Sequence, residues 1–403
     1  MESRRPPIIA LITGANSGLG YGIACRLIVE FFAQQTLAPA SSDPDSLEIC
    51  LATRSHEKAK AAIESLSAFA SSKLSGDARR RLTLHYVTLD LASLVSVTAA
   101  ATELTRRYAR IHYLFCNAAV IPIIRLDWLK AVRQFSTSLV DAMTLPRYQV
   151  QRVGWLTDAH DALLPTSEES LPTIPQSGVP LSPLGAVFTA NVFGHYYLVR
   201  EIMGLLHAPL GQESGASRVI WIGSISCNPL SFDAEDIQAL KSTTPYESSK
   251  ALMDILVLGS HLPQAKQHFC SYTARTDANA GAEETAPPIF LVAHPGLIST
   301  PIIPLPWWQA YGKVMGFWLC KAVGSPWHCI DPYIGANAPV WLALSPHVDL
   351  AKGKKWGSGS RWTNPEVIFE TKVEIDIAEN SERVWSEMEQ LRMFWKSRLD
   401  LKT

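Results

Sequence analysis

A glycine-rich turn, "TGANSGLG" at residues 13–20, narrows the folds open to this chain more than anything else in it. It stands between a short apolar run at residues 7–15, which reads as a buried strand, and "GLGYGIACRLIVEFF", which reads as a helix. Gly14, Gly18 and Gly20 let the backbone turn tightly and approach a bound group closely. The helix start adds unpaired N–H groups and the positive end of its dipole, which together hold a phosphate. A glycine turn alone is weak, since many are only tight turns. The strand–turn–helix setting is what a dinucleotide site requires. It makes Gly14, Asn16, Ser17, Gly18, Leu19 and Gly20 candidate cofactor-binding residues.

Beyond the turn, short apolar runs keep alternating with helical segments. "LEICLATRS", "LTLHYVTLD", "IHYLFCNAA", "RVIWIGS" and "PIFLVAHPG" read as strands, with helices over 56–71 and 93–108 between the first of them. This rhythm predicts βαβ units, hence an α/β, Rossmann-type fold with a doubly wound parallel sheet. The expected catalytic domain covers residues 1–300, broken by a Pro/Ser-rich loop at about 155–186 and a second polar insertion at about 272–287. An aromatic-rich C-terminal extension, 301–403, should lie on the substrate side. A hydrophobic content of 47% suffices for a large core, and a formal net charge of −1 gives no electrostatic case for nucleic acid. The seven scattered cysteines include no C-x-x-C pair, so neither a disulfide framework nor a metal site is expected. The N-terminal apolar run flows into the glycine turn and reads as a strand, not a signal peptide, in a protein facing the cytosol.

The second strand ends with Thr53, Arg54 and Ser55, and no carboxylate appears before Glu57. NAD sites place an acidic side chain there for the ribose 2′-hydroxyl, whereas a guanidinium suits the 2′-phosphate of NADP. Thr53 and Arg54 are therefore candidates for holding NADPH; an ordinary surface arginine is the competing reading. In "TTPYESSKALMDIL", Tyr246 and Lys250 stand one helical turn apart and share a face. An ammonium beside a phenol lowers its pKa, which suits Tyr246 to protonating a carbonyl oxygen as hydride arrives at carbon. Ser224, closing "RVIWIGS", is placed to bond that oxygen. Asn191, in "TANVFGHYYL", is placed to anchor a water relaying protons towards Lys250. Each alone has an ordinary structural reading; the ordered set carries the argument.

With these motifs the chain resembles a short-chain dehydrogenase/reductase over nearly all of residues 7–300. The shared features are "TGANSGLG", Asp90 in "LDLAS", "CNAA" at 116–119, Asn191, Ser224, "YESSK" and "HPGLIST". The resemblance implies Asp90 at the adenine, Asn117 steadying the cofactor-side backbone, and Pro295 to Thr300, with Ile298 and Thr300, around the nicotinamide. It also implies that Lys250 holds the ribose. "CNAA" has Cys116 and Ala119 where Asn and Gly are usual. Ser224 precedes Tyr246 by more than the family's spacing, so the insert between them should loop out, and Ser226 is a minor rival for the serine role. Long insertions after Asn117 and before Asn191 alter the substrate side.

"YLFCNAA", "ANVFGHYYL", "DWLKAV" and "GSPWHCIDPYIGANAPV" are similar to the fungal 3-keto-steroid reductases of sterol C4-demethylation. That resemblance implies NADPH-dependent reduction of a 4-methyl 3-oxo-sterol to the 3β-hydroxysterol. It also implies partners among the enzymes of that assembly, and a place on the cytosolic face of the endoplasmic reticulum or on lipid droplets. A reductase of another lipophilic ketone and a cofactor-binding scaffold are the alternatives. The run after Thr300, "PIIPLPWWQAYGKVMGFWLCKAVGSPW", is too interrupted to span a bilayer. It fits a segment lying in the headgroup region or a lid over the pocket. The terminal stretch "NSERVWSEMEQLRMFWKSRLDL" reads as an amphipathic helix, either core cover or partner surface.

Overall fold

The structure is a computed structural model that describes residues 6–37, 45–157, 183–209, 215–227, 229–275, 284–300, 307–363 and 365–400. In chain order the elements used below are β1 (Ile8–Thr13), α1 (Gly18–Leu37), β2 (Leu47–Thr53), α2 (His56–Lys73), β3 (Leu82–Thr88), α3 (Leu94–Arg107) and β4 (Tyr113–Cys116). A small hairpin, β5 (Ile123–Leu126) and β6 (Gln149–Gln151), encloses the helices α4 (Trp128–Thr137) and α5 (Leu139–Thr144). Helix α6 follows in three segments: Ala186–Phe188, a π turn at Thr189–Phe193, and Gly194–Glu201. Then come β7 (Arg218–Ile222), α7 (Pro245–Gly259), β8 (Ile289–His294), α8 (Trp307–Ala322) and α9 (Asn337–Leu344). The last are β9 (Lys355–Gly359), β10 (Val367–Thr371) and α10 (Ile377–Asp400).

Eight strands form one sheet in the order β10-β9-β8-β7-β4-β1-β2-β3. All neighbours are parallel except β9 and β10. The chain starts beside the middle and winds outward both ways, which is the doubly wound arrangement that the alternation predicts. Strands covered on both faces must be apolar almost throughout, and β1, β7 and β8 are buried from their second residue onward. Helices α1, α2 and α9 pack on one face, and α3, α6, α7 and α10 on the other.

Local chemistry fixes the helix starts. Ser55 and Ser93 accept from the backbone N–H groups of Lys58 and Ser96, capping α2 and α3. Residues beyond 300 do not form a separate layer, for β9 and β10 extend the central sheet. Helix α10 lies on α7, burying Trp385 and Trp395 completely, and the Trp385 indole donates to Leu256 O at 3.1 Å. Of the two readings of the terminal helix, core cover is what its buried face provides.

The first inserted loop closes at its base, where Leu156 bridges Gly185 and Thr157 N donates to Leu184 O. Its body, 158–182, lies outside the described residues. The second loop is shorter than expected: Tyr272 and Thr273 end a helix, Lys266–Thr273, and are buried. Residues 276–283 lie outside the described set. The insert between Ser224 and Tyr246 does not simply loop out. Ile237, Gln238 and Ala239 are buried, and Gln238 accepts from Gly185 N at 2.8 Å, stitching the insert to the start of α6.

Candidate active site

A cleft of about 1070 Å³ runs along the carboxyl ends of the parallel strands, where the topology of an open α/β sheet places ligands. Its inner end is the β1–α1 turn. Gly14 and Gly18 sit at φ 66° and 55°, backbone that a side chain disfavours. At Gly20 an added Cβ would come within 2.5 Å of Gly14 O and 2.6 Å of the Asn117 amide, so this glycine is needed for close packing. Thr13, at the end of β1, binds the next strand's exit. Its hydroxyl accepts from Asn117 N at 2.9 Å and Ala118 N at 3.0 Å, and lies 2.8 Å from His195 Nε2. Asn117 returns a bond from its amide to Thr13 O at 2.8 Å, tying the two strand ends together.

At the end of β2, Thr53, the exposed Arg54, Ser55 and Lys58 line the cleft. Thr53 donates to Asn16 at 3.2 Å, tying the second strand to the glycine turn. Asp90 lines the same end and accepts from Ala92 N at 3.0 Å. Across the sheet, Ile298 and Thr300 reach the cleft, and Thr300 Cγ2 lies where a Cβ on Gly18 would be 3.3 Å away. These residues form a cradle that fits a dinucleotide: helix-start N–H groups, glycines at 14 and 18 that let the backbone approach closely, and cations at its far end.

Tyr246, Lys250 and Ser224 meet midway along the cleft. Lys250 is 2% exposed and its ammonium lies 5.8 Å from the Tyr246 ring centroid, donating to Ile222 O at 2.7 Å. Burial holds the Lys250 pKa down at about 8. The expected depression of the tyrosine pKa is not what this geometry gives. Burial raises the Tyr246 phenol, the Glu247 carboxylate adds to that, and only the Ser224 hydroxyl draws it back. The result is a neutral phenol, which is the form able to donate a proton.

Asn191 takes a different place from the relay expected of it. Lying in the π turn of α6 and fully buried, it accepts from Val120 N at 2.7 Å and donates to Val120 O at 3.1 Å and Ser249 Oγ at 3.0 Å. It thus clamps the segment after β4 to α7, and is not among the cleft's lining groups; Gly20 likewise lies behind them. All the other candidate residues line the cleft, and so does Ser226, whose N–H donates to Ser224 Oγ at 3.1 Å. The π turn supplies the extra residue that lets Asn191 face inward.

Several residues escaped the sequence reading. Gln151, from β6, accepts from Tyr246 N at 3.0 Å and donates to Glu247 at 2.6 Å, capping a helix whose own N-cap, Thr244, makes no side-chain bond. Burial raises the pKa of Glu247 in turn. Beneath Ser224, Lys355 of β9 pairs with Asp254 of α7. Asp254 sits two turns after Tyr246, a spacing visible in sequence; nothing local announces Gln151 or Lys355. The outer end of the cleft is lined by Met143, Tyr148, Trp155, Leu156, Lys313 and Phe317.

A Rossmann-type sheet with a glycine cradle at one end of a cleft and tyrosine, lysine and serine at the other is the arrangement of a short-chain dehydrogenase/reductase, an oxidoreductase using a nicotinamide dinucleotide. No family model matches the sequence. It is 36% identical to the 3-keto-steroid reductase of Aspergillus fumigatus over 87% of this chain and 78% of the relative. It is 30% identical to that of Schizosaccharomyces pombe over 97% and 98%. The chain belongs to the 3-keto-steroid reductase family. Among solved structures, a short-chain dehydrogenase/reductase family protein is 17% identical, covering 88% of this chain and 96% of its own, with a TM-score of 0.43.

Proposed function

We propose that the protein reduces the 3-oxo group of a 4-methyl sterol to the 3β-alcohol, using NADPH. One observation carries the reading: Tyr246, Ser224 and Lys250 converge in a cleft that holds the glycine cradle and is also lined by the apolar side chains of Met143, Trp155, Leu156 and Phe317. The reduced nicotinamide supplies hydride when bound. Ser224 orients the ketone oxygen, and Tyr246, neutral in its buried setting, donates its proton there, since an alkoxide is a stronger base than a phenolate. Lys250 holds a cation behind the phenol, so the phenolate left after transfer is stabilised. Asn191 keeps the floor of the site in place through Val120 and Ser249. Arg54 and Lys58 follow the second strand on the cleft wall, where a guanidinium and an ammonium support the 2′-phosphate and hence NADPH. Sterol profiling of a deletion strain tests the substrate: accumulated 3-oxo-sterols support it, and an unchanged profile removes it.

The reading includes a lipid surface as the place of work, with the endoplasmic reticulum or lipid droplets as locations and the other sterol C4-demethylation enzymes as neighbours. Among the described residues, no helix is long and apolar enough to cross a membrane. Two helices that connect through α5 instead turn apolar stripes outward. Helix α8 exposes Trp307, Trp308, Tyr311 and Met315. Helix α4, whose start "DWLKAV" served only as a resemblance motif, exposes Trp128, Leu129, Val132 and Phe135 at one-face spacing. Basic groups accompany them (Arg125, Lys130, Arg133 and Lys313) against Asp127 and Asp141, on a chain whose formal net charge is −1. That combination suits an anionic headgroup layer. Met143 of α5 and Phe317 of α8 line the cleft, so its outer end opens beside these helices and a sterol would enter from the lipid side.

A further inference from the structure

We propose that Asp254 and Lys355 are positioning residues for the reduction: a buried ion pair that fixes the Ser224 main chain and sets its charges against Lys250. The proposal rests on the reductase reading of this same site. Asp254 follows Lys250 by one turn and Tyr246 by two, so the three share one face of α7. Lys355 reaches across from β9, its ammonium 2.6 Å from Asp254 Oδ2 and 2.7 Å from Ser224 O. The side chains of Lys355 and Asp254 are 3% and 0% exposed. Lys250 holds Ile222 O in the same manner. Two ammonium groups therefore grip alternate carbonyls at the end of β7, on either side of Gly223. A side chain on Gly223 would meet Asp254 Oδ1 at 3.2 Å, so the glycine admits the carboxylate.

Stability is a poor explanation for such a pair, because well-packed apolar residues usually serve a core as well or better. Its surroundings suggest a use. The titratable groups facing Lys250 are Tyr246 and Asp254 on α7, Cys116 on β4, Cys227 after β7, His195 on α6 and Lys355 on β9. Burial keeps most of them neutral: the Cys227 thiol is pushed up to about 12, Cys116 and Tyr246 are also raised, and His195 is pushed down to about 3. Asp254 and Lys355 are the charged members of that set. The carboxylate favours the Lys250 ammonium and the second ammonium opposes it. Lys355 stays protonated because the Asp254 carboxylate outweighs its own burial. Its remaining ionisable neighbour, His294, is held neutral by burial and by Lys355 itself. The same lysine that anchors Ser224 thus adjusts the charge on Lys250.

The test is the pH dependence of 3-oxo-sterol reduction with NADPH by Asp254→Asn, Lys355→Met and the double variant. Lys250 titration by NMR accompanies it as a readout independent of turnover. Loss of Asp254 should move the alkaline limb, and the Lys250 titration, down by about one pH unit; loss of Lys355 should move both up by about one. The double variant, which leaves no orphan charge, should return the limb to its wild-type position. Its kcat should stay roughly 10- to 100-fold low, because Ser224 has lost its anchor. Lys355→Arg, keeping the cation, should keep the limb. Limbs and titrations that do not move, or that move the same way in both single variants, overturn the proposal. If the wild type reduces no 3-oxo-sterol, the reductase reading fails, and the Lys250 titration alone then decides the pair.

Discussion

Tyr246 and Lys250 share a helix face as their spacing requires, yet burial dominates the titration of both. For Lys250 the sign is clear. Its folded pKa, about 8, lies below the ordinary 10.5, so the native state disfavours the ammonium at neutral pH and recovers that cost only as pH rises past 8 towards 10.5. Lys250→Met should therefore abolish reduction while raising stability at pH 7 by up to about 3 kcal/mol, read by urea unfolding. Arg54 carries a separate prediction. Arg54→Glu should shift the kcat/KM preference from NADPH towards NADH by roughly 10- to 100-fold, the worth of one charged hydrogen bond; an unchanged ratio would leave Arg54 a surface residue. The residues nearest the chemistry were readable from sequence because they cluster at fixed spacings around two turns and one helix. Gln151 and Lys355 were not, since only the tertiary fold carries a hairpin glutamine and a late-strand lysine to α7.

At the level of elements, α7 carries both Tyr246 and Lys250 but borrows its N-terminal cap from β6. Gln151→Leu would free Tyr246 N and leave the Glu247 carboxylate buried without its partner, costing about 1–3 kcal/mol. Because the cap holds the turn that bears Tyr246, kcat should fall more than the fluorescence-measured affinity for NADPH; equal losses would argue against it. Helices α4 and α8 make the other element-scale prediction. Liposome flotation should fail for Leu129→Glu/Val132→Glu and for Tyr311→Glu/Met315→Glu, with circular dichroism unchanged. Flotation at wild-type levels in both would remove the lipid-docking role. The α8 stripe was visible as tryptophans among lysines. That of α4 was not, because an exposed apolar face and a buried one have the same periodicity until the fold shows which side is covered.

For the whole molecule, strand alternation sufficed to foresee a doubly wound sheet, since its central strands β1, β4, β7 and β8 are buried and read as continuous apolar runs. The contribution of residues 355–371 to that sheet was hidden: "KWGSG" is polar and glycine-rich, and becomes a strand by pairing with β8 and β10. The fold also buries histidines as neutral groups. His112 and His195 are held down at about 3 and His328 at about 4, chiefly by burial. Their unfolded forms take up protons below about 6.5 while the native forms do not, so stability falls as pH drops through 6.5 towards 4. Each should add a slope of about 1.4 kcal/mol per pH unit, measurable by denaturant unfolding between pH 7 and 5. The central claim, that the Tyr246 phenol gives its proton to a sterol ketone in this cleft, is tested most directly by assaying purified Tyr246→Phe with NADPH and a 4-methyl 3-oxo-sterol. The account predicts that kcat falls by about 10²-fold or more while NADPH still binds; reduction at the wild-type rate would contradict it.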